Sequence, residues 1–228
     1  MNIRRANSAD LDAALEVWRA AGAAQGVRPS AARTARMHDK LAAPDALLVV
    51  AEQGGAVRGY ALGEWGRAQD GAGALEPGLL LLAALSVHPA VQRTGVGSAL
   101  AEALADAAYV KGARRLQAWA DTGAVAAFLV ALGLEPTGRS KESAGAQYEG
   151  ELEPPLRELA VASGGLRLGQ LLKLAGLVDT GAEAKALLEA GGVEVDGEVE
   201  HRRGRQLQDG EVVVAREQAV RVVLPPPG

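Results

Sequence analysis

The residues most able to do chemistry lie in the stretch Leu85-Ser-Val-His-Pro-Ala-Val-Gln-Arg-Thr-Gly-Val-Gly-Ser-Ala-Leu100. A run of apolar residues ends here, Gln92-x-x-Gly95-x-Gly97 follows, and an apolar stripe at helical spacing (Leu100, Leu104, Ala107) comes next. A loop that turns into a helix leaves a row of backbone N–H groups without intrahelical acceptors, and these converge on an anion. Residues 93–98 would supply the donors. Glycine at 95 and 97 keeps side chains from standing between backbone and anion, and it tolerates the dihedrals such a loop needs. The expected ligand group is therefore a phosphate or pyrophosphate. Glycine is abundant in this chain, with 29 of 228 residues, so a chance Gly-x-Gly is common. Gly71-Ala-Gly73 is one, and no strand precedes it. The preceding strand and the following helix are what distinguish the loop at 92–98.

Other chemistries are excluded more simply. The chain has no cysteine, hence no disulfide and no thiolate metal site. Its three histidines, His38, His88 and His201, have no ligand spacing, so no metal is expected. The N-terminus lacks the apolar core of a signal peptide, and the longest apolar run, 79–87, is half the length of a membrane helix. A cytoplasmic protein without membrane association is the expectation. The net charge of −4 is shared between the two halves of the chain, so any nucleic-acid contact must come from a local patch.

The elements that must position the loop follow from periodicity. A strand at 3–6 is followed by a helix capped by Ser8, with Leu11, Leu15 and Trp18 at helical spacing. A second helix covers 30–41, and strands cover 46–51 and 57–65. In the latter, Tyr60, Leu62 and Glu64 share one face. Residues 66–78 read as a Gly-rich loop, 79–87 as a strand buried on both faces, and 95–111 as a helix. A strand at 115–120, a helix capped by Asp121 or Thr122, and an antiparallel pair at 134–139 and 147–152 complete a mixed α/β sheet with helices on both faces.

Pro154-Pro155 breaks the chain. Residues 154–165 read as a linker with at most one helical turn. From 166 to 223 the pattern is two short helices, 168–175 and 182–190, then a hairpin turning at Asp196-Gly197 and a further turn at Asp209-Gly210. Residues 224–228 are a tail.

Residues 2–152 resemble the GNAT N-acetyltransferases. The resemblance rests on Ile3-Arg-Arg-Ala-x-x-x-Asp10-Leu11, Leu85-x-Val87-x-Pro89, Gln92-x-x-Gly95-x-Gly97 and Phe128-x-x-x-x-Gly133-Leu134. It implies acetyl-CoA as acyl donor. The pantetheine arm would lie on the backbone of Leu85, Ser86 and Val87, and the pyrophosphate on Gln92, Arg93, Thr94, Gly95, Val96, Gly97 and Ser98. Arg93 is either a charge near a phosphate or a solvated loop arginine. The family's usual acid, a tyrosine after the aromatic residue matching Phe128, is replaced by Leu129. Base candidates are Glu64 first, then Glu76 and Asp70; His88 ranks below Glu64. Glu64 also has the plainer reading of a solvated strand-end charge. Neutralising a lysine amine at pH 7 costs about 4.6 kcal/mol against about 1 kcal/mol for an α-amine. A site poor in acid and base groups therefore favours an α-amino acceptor.

Residues 166–223 resemble the small S-four-like (alpha-L) RNA-binding domains, of α+β build. The matching residues are Leu168-Gly-Gln170-Leu-Leu-Lys173-Leu-Ala, Gly181-x-x-Ala184-Lys185, Gly191-Gly-Val-x-Val195-Asp-Gly197-Glu-Val, Arg202-Arg-Gly-Arg205-x-Leu207 and Asp209-Gly210. The implied RNA face is Gln170, Lys173, Lys185, Arg202, Arg203 and Arg205. The alternative is a solvated charge cluster balanced by Glu194, Glu198 and Glu200. No aromatic residue follows position 153, so base stacking is unavailable and structured RNA is favoured over single strands. The expected protein is a GNAT acetyltransferase whose unidentified amine acceptor lies on or near RNA or the ribosome. Two rivals remain: an RNA-binding sensor of acyl-CoA without catalysis, and a small-molecule acetyltransferase that uses the C-terminal domain for docking.

Overall fold

The computed structural model describes residues 1–68, 73–161, 165–216 and 218–224. The chain divides into two compact units, Met1–Glu153 and Pro154–Gly228. Among the described residues no helix is long and apolar enough to cross a membrane.

The first unit runs β1 (Asn2–Arg5), α1 (Leu11–Ala24), α2 (Ala31–Leu41), β2 (Leu47–Gln53), β3 (Ala56–Arg67), β4 (Leu75–Val87), α3 (Val96–Val110), β5 (Arg115–Ala120), α4 (Gly123–Ala131), β6 (Glu135–Lys141) and β7 (Gly145–Glu151). This is the expected element order. The strands form one mixed sheet, β1-β2-β3-β4-β5-β7-β6. Among the described residues of this sheet, only β4 and β5 pair in parallel.

Alternation along β3 sends its side chains to two cores. Tyr60 and Leu62 pack with Leu15, Val17, Leu48 and Val50 on the α1 side. Ala61 faces Leu80, Leu100, Leu104 and Leu129 on the α3 side. Gly59 and Gly63 let α3 rest on the backbone of β3. A Cβ at Gly59 would lie 2.8 Å from Leu100 Cδ1, and one at Gly63 2.7 Å from Leu80 Cδ2. Burying Leu100 and Leu104 stabilises this contact by about 1.5–3 kcal/mol each.

Two local readings are corrected. Ser8 does not cap α1: it lies in a 3-10 turn over Ser8–Asp10 that Asn7 caps, and Asp10 is the N-cap residue of α1. Asp10 closes that turn by accepting from the Asn7 N–H at 2.8 Å, and it pairs with Arg4 at 2.7 and 2.9 Å. The Arg4 guanidinium holds the Asp10 carboxyl below the usual carboxylate range. The loop read at 66–78 is also shorter than expected, because β3 runs on to Arg67 and β4 already starts at Leu75.

The second unit contains β8 (Leu156–Ala160), α5 (Leu168–Leu174), α6 (Gly181–Glu189), β9 (Val193–Val195), β10 (Glu198–Val199), β11 (Val212–Ala215) and β12 (Gln218–Val223). Its sheet order is β10-β9-β11-β12-β8. The supposed linker therefore contains a strand, since β8 pairs in parallel with β12 from Leu156↔Ala219 to Ala160↔Val223. The hairpin turn is as read: Asp196 and Gly197 both have positive φ, 53° and 79°, which a tight two-residue turn requires.

The loop after β10 is built on a buried carboxylate. Glu200 is 6% exposed. It accepts from the Arg202 N–H at 2.8 Å, from the Arg202 guanidinium at 2.7 and 3.0 Å, and from Arg205 at 3.2 Å. The loop carbonyls of Arg205 and Arg203 then take the first N–H groups of α5, from Leu168 at 2.9 Å and Gly169 at 3.0 Å. Hydrogen bonds from Arg202, with a smaller contribution from Arg205, pull the Glu200 carboxyl down to about 2 against the opposing effect of burial. Its folded value lies below its unfolded one. The stabilisation is thus complete above the ordinary carboxylate range and is lost as pH falls towards 2. Glu200→Gln is expected to lower stability at pH 6 by about 2 kcal/mol and to flatten the acid limb of the unfolding curve. Denaturant titrations from pH 6 to pH 2 measure both. A variant as stable as the parent at pH 6 would show that the loop does not depend on this carboxylate.

Candidate functional site

The first unit's site begins where the sheet opens. β4 and β5 share three paired positions, Leu79↔Arg115, Leu80↔Leu116 and Leu81↔Gln117. Beyond them β4 continues to Val87 beside β3 alone, and β5 continues to Ala120 beside β7 alone. The register with β3 skips Ala83, a bulge that increases local twist at the point of divergence. The edge of β4 from residue 82 to residue 87 is therefore not laddered to β5. This corrects the reading of 79–87 as buried throughout: Leu79 and Leu80 are buried, whereas 81–87 are half-buried. Leu85, Ser86 and Val87 all lie on this open edge.

The loop after β4 is held by its own side chains. Gln92 Nε2 donates to the Val87 carbonyl at 3.0 Å, and Thr94 Oγ1 to the Val91 carbonyl at 2.8 Å. His88 Nδ1 accepts from the Ala90 N–H at 3.2 Å, which commits this ring to the turn. Arg93 and Gly95 adopt left-handed backbone, φ 61° and 83°. Gly95 is the N-cap of α3 and provides no capping side chain. The N–H groups of Val96, Gly97 and Ser98 consequently open the helix without a side-chain acceptor. Exposed Arg93 adds a positive charge beside them. The expected reason for Gly97 needs amending. A Cβ there would face inward, 3.6 Å from Phe128 Cε2 and 3.7 Å from Leu85 Cδ2, across the gap between α3 and α4.

On the opposite face, a cavity of about 360 Å³ lies at the fork, with Glu64, Leu81, Gln117 and Trp119 in its wall. Glu64 pairs across the sheet with Leu81, the last β4 residue joined to β5, so the strands place its carboxylate where they separate. Both its oxygens are taken by Lys40 Nζ at the end of α2, at 2.9 and 2.8 Å. Lys141 Nζ sits 4.5 Å above the Trp119 ring. Glu76 is elsewhere: it is bound to Arg115, which also holds Glu149 at 2.8 Å, and it does not line this cavity. Asp70 lies outside the described residues. Leu129 is 1% exposed in the core, so no hydroxyl occupies that position. Tyr60, fully buried with its hydroxyl 3.9 Å from Met37 Sδ, is pushed up to about 12 by burial and serves packing.

Lys40, Gln117 and Trp119 did not figure among the sequence candidates. The alternation Arg115, Gln117, Trp119 on a strand whose other residues are apolar signals a polar open face. The Lys40–Glu64 pair spans 24 residues and has no local signature.

In the second unit the six cationic and amide candidates separate. Lys173, Gln170 and Arg203 line one cavity of about 570 Å³, together with Arg167. Arg203 packs tightly over two glycines: a Cβ at Gly169 would lie 2.6 Å from its Cγ, and one at Gly181 3.1 Å from its Nη2. Gln170 Oε1 also accepts from the Arg167 N–H at 3.0 Å, capping α5. Arg202 and Arg205 are tied to Glu200, and Arg205 also to Glu211 at 2.8 Å. Lys185 faces Glu189 at 3.7 Å and lies outside this cavity. Among the described residues no three His, Asp or Glu side chains form a metal-holding group.

Comparison with known proteins agrees with these two folds. Residues 14–133 match the acetyltransferase (GNAT) family model, and residues 161–223 match the S4 domain model. The first match covers more than half of the chain, which belongs to the GNAT acetyltransferase family and carries an S4 domain after it. A GNAT acetyltransferase from Brucella melitensis in complex with acetyl-CoA is 25% identical, with a TM-score of 0.51 over 67% of this chain and 88% of that one. The ribosomal-protein-alanine N-acetyltransferase from the same organism is 22% identical, with a TM-score of 0.54 over 67% and 100%. The ribosomal-protein-S18-alanine N-acetyltransferase of Escherichia coli is 19% identical, with a TM-score of 0.50 over 66% and 93%. A curated tyrosine–tRNA ligase from Burkholderia lata is 36% identical over 76 residues. The match covers 33% of this chain and only 18% of the ligase.

The two loop glycines should behave oppositely on substitution. Gly95→Ala places a Cβ on left-handed backbone and should destabilise by about 1–2 kcal/mol. Gly97→Ala, in the first turn of a helix with room for a methyl, should be neutral or stabilising by up to about 1 kcal/mol. Urea denaturation of both variants checks this. Equal losses at the two positions would contradict the described backbone.

Proposed function

We propose that the chain transfers an acetyl group from acetyl-CoA to a primary α-amine, on an acceptor associated with structured RNA. The observation that carries this reading is the open fork between β4 and β5 facing the uncapped start of α3. The unladdered edge at Leu85, Ser86 and Val87 offers main-chain groups to the pantetheine arm, the Val87 carbonyl excepted because Gln92 holds it. The N–H groups of residues 93–98, with Arg93, offer donors and charge to the pyrophosphate. Gln92 positions that loop through its bond to Val87. The donor molecule, when bound, supplies an activated thioester. Backbone N–H groups at the fork would steady the developing oxyanion.

The acceptor amine enters from the cavity walled by Glu64, Gln117 and Trp119. Glu64 takes its proton, provided that Lys40 first releases the carboxylate. With Leu129 in place of an acid, protonation of the leaving thiolate falls to solvent. A site whose carboxylate at the fork is already paired favours the amine that loses its proton at least cost. The acceptor chemistry of the ribosomal-protein-alanine acetyltransferases agrees with an α-amine. The S4 domain supports the RNA association, with Arg203 and Lys173 as contacts to phosphate. A sensor without turnover is the second reading, and the Lys40–Glu64 pair is the observation that favours it.

A peptide panel separates the two. Peptides with a free amino terminus should be acetylated at the α-amine in preference to blocked peptides containing lysine, with products located by mass spectrometry. Glu64→Gln should lower kcat/KM at least about tenfold while leaving acetyl-CoA affinity unchanged. Saturable acetyl-CoA binding with transfer to none of these amines would support the sensor.

A further inference from the structure

The segment from Arg28 to Lys40 carries four cations, Arg28, Arg33, Arg36 and Lys40, against the single carboxylate of Asp39. All five of these side chains are exposed. Most of the segment is α2, whose N-terminus is capped by Ser30 and whose only buried residue is Leu41. Lys40 is committed to Glu64. Among the described residues, Arg28, Arg33 and Arg36 have no carboxylate within ion-pair distance. Elsewhere in this unit Arg4, Arg19 and Arg115 each hold at least one; among the described residues Arg5, Arg58 and Arg93 also lack one, but they are not clustered on one helix. The Arg33 guanidinium is placed 5.8 Å from the Trp18 ring centre, which limits its freedom before any partner arrives. Arg33 and Arg36 are three residues apart and share one side of the helix. A net charge of +3 over 13 residues thus stands out in a chain whose net charge is −4.

We propose that Arg33 and Arg36 on α2, with Arg28 just before the helix, are a second contact for the phosphodiester backbone of RNA. It adjoins the acceptor cavity, because Lys40 on the same helix holds a carboxylate of that cavity's wall. The proposal rests on the reading that the S4 domain holds structured RNA. Arginine forks suit phosphate oxygens, and unpaired arginines contribute a charge that no neighbour neutralises. Because the two units are one chain, a strand bound by the S4 domain is tethered to the unit that carries α2. An acceptor amine carried by such an RNA, or by a protein bound to it, would be drawn to the cavity and not only to the chain.

The test uses the full chain, a fluorescent RNA hairpin and anisotropy titrations at several salt concentrations. Each lost phosphate contact makes the slope of log K against log salt shallower by roughly 0.7–0.9. Arg33→Gln with Arg36→Gln should therefore flatten the slope by about 1.5 and leave the melting temperature unchanged. Restoring charge as Arg33→Lys with Arg36→Lys should recover most of the slope. Lys173→Gln with Arg203→Gln serves as the independent reference for the S4 domain. If the α2 pair leaves slope and affinity at parental values while the S4 pair lowers them, the proposal fails and the RNA reading stands. If the parent does not bind the hairpin at low salt, both fail. If the α2 pair weakens binding of polyglutamate yet leaves the hairpin's slope at the parental value, the face belongs to acidic proteins and the proposal is overturned.

Discussion

Three parallel pairs, from Leu79↔Arg115 to Leu81↔Gln117, are all that join β4 to β5, and the candidate site lies where the pairing stops. A backbone edge in the middle of a sheet needs partners for its N–H and C=O groups, and water or a ligand must supply them once the neighbouring strand departs. The bulge at Ala83 belongs to that departure, since it bends β4 away while the pairing with β3 is kept. On one face the separation leaves space between Phe128 and Leu85 at the start of α3. On the other it leaves the cavity of Glu64, Gln117 and Trp119. A donor seated in the fork and an acceptor arriving from the cavity would meet through the same opening. The close seat of α3 on Gly59 and Gly63 holds the helix N-terminus at one end of it.

Much of this was legible in the residues themselves. The apolar run 79–87, the loop 92–98 and the stripe of Leu100 and Leu104 place strand, turn and helix correctly because each is a local pattern. The half-buried character of 81–87 was not legible. Burial there depends on where β5 goes, and the residues of β4 are equally apolar before and after the divergence. The two glycines were read alike, yet Gly95 has the positive φ that only the dihedral argument covers, whereas Gly97 faces inward towards Phe128, a neighbour 31 residues away. Glu64 could be placed on its face by alternation. Its capture by Lys40 could not, since α2 and β3 meet only in the folded sheet.

The second unit shows the same division. Its hairpin turn followed from Asp196-Gly197, a short-range signal. Its charges did not sort themselves in sequence: Arg202, Arg203 and Arg205 look alike there. In the fold the buried Glu200 takes the first and third to build the loop that caps α5, leaving Arg203 over Gly169 and Gly181 at a cavity wall. β8 escaped notice because the leucines of Leu-Arg-Glu-Leu-Ala stand three apart and do not alternate, and only its ladder with β12 makes it a strand.

The account stands or falls on the fork and the loop as a seat for an acyl-CoA. Calorimetric titration of acetyl-CoA into the full chain and into Gly97→Glu tests that most directly, with thermal melting to confirm that the variant is folded. Saturable one-to-one binding by the parent, lost in a folded Gly97→Glu variant, is the predicted result. Absence of binding by the parent would contradict the account and remove the transferase and sensor readings together.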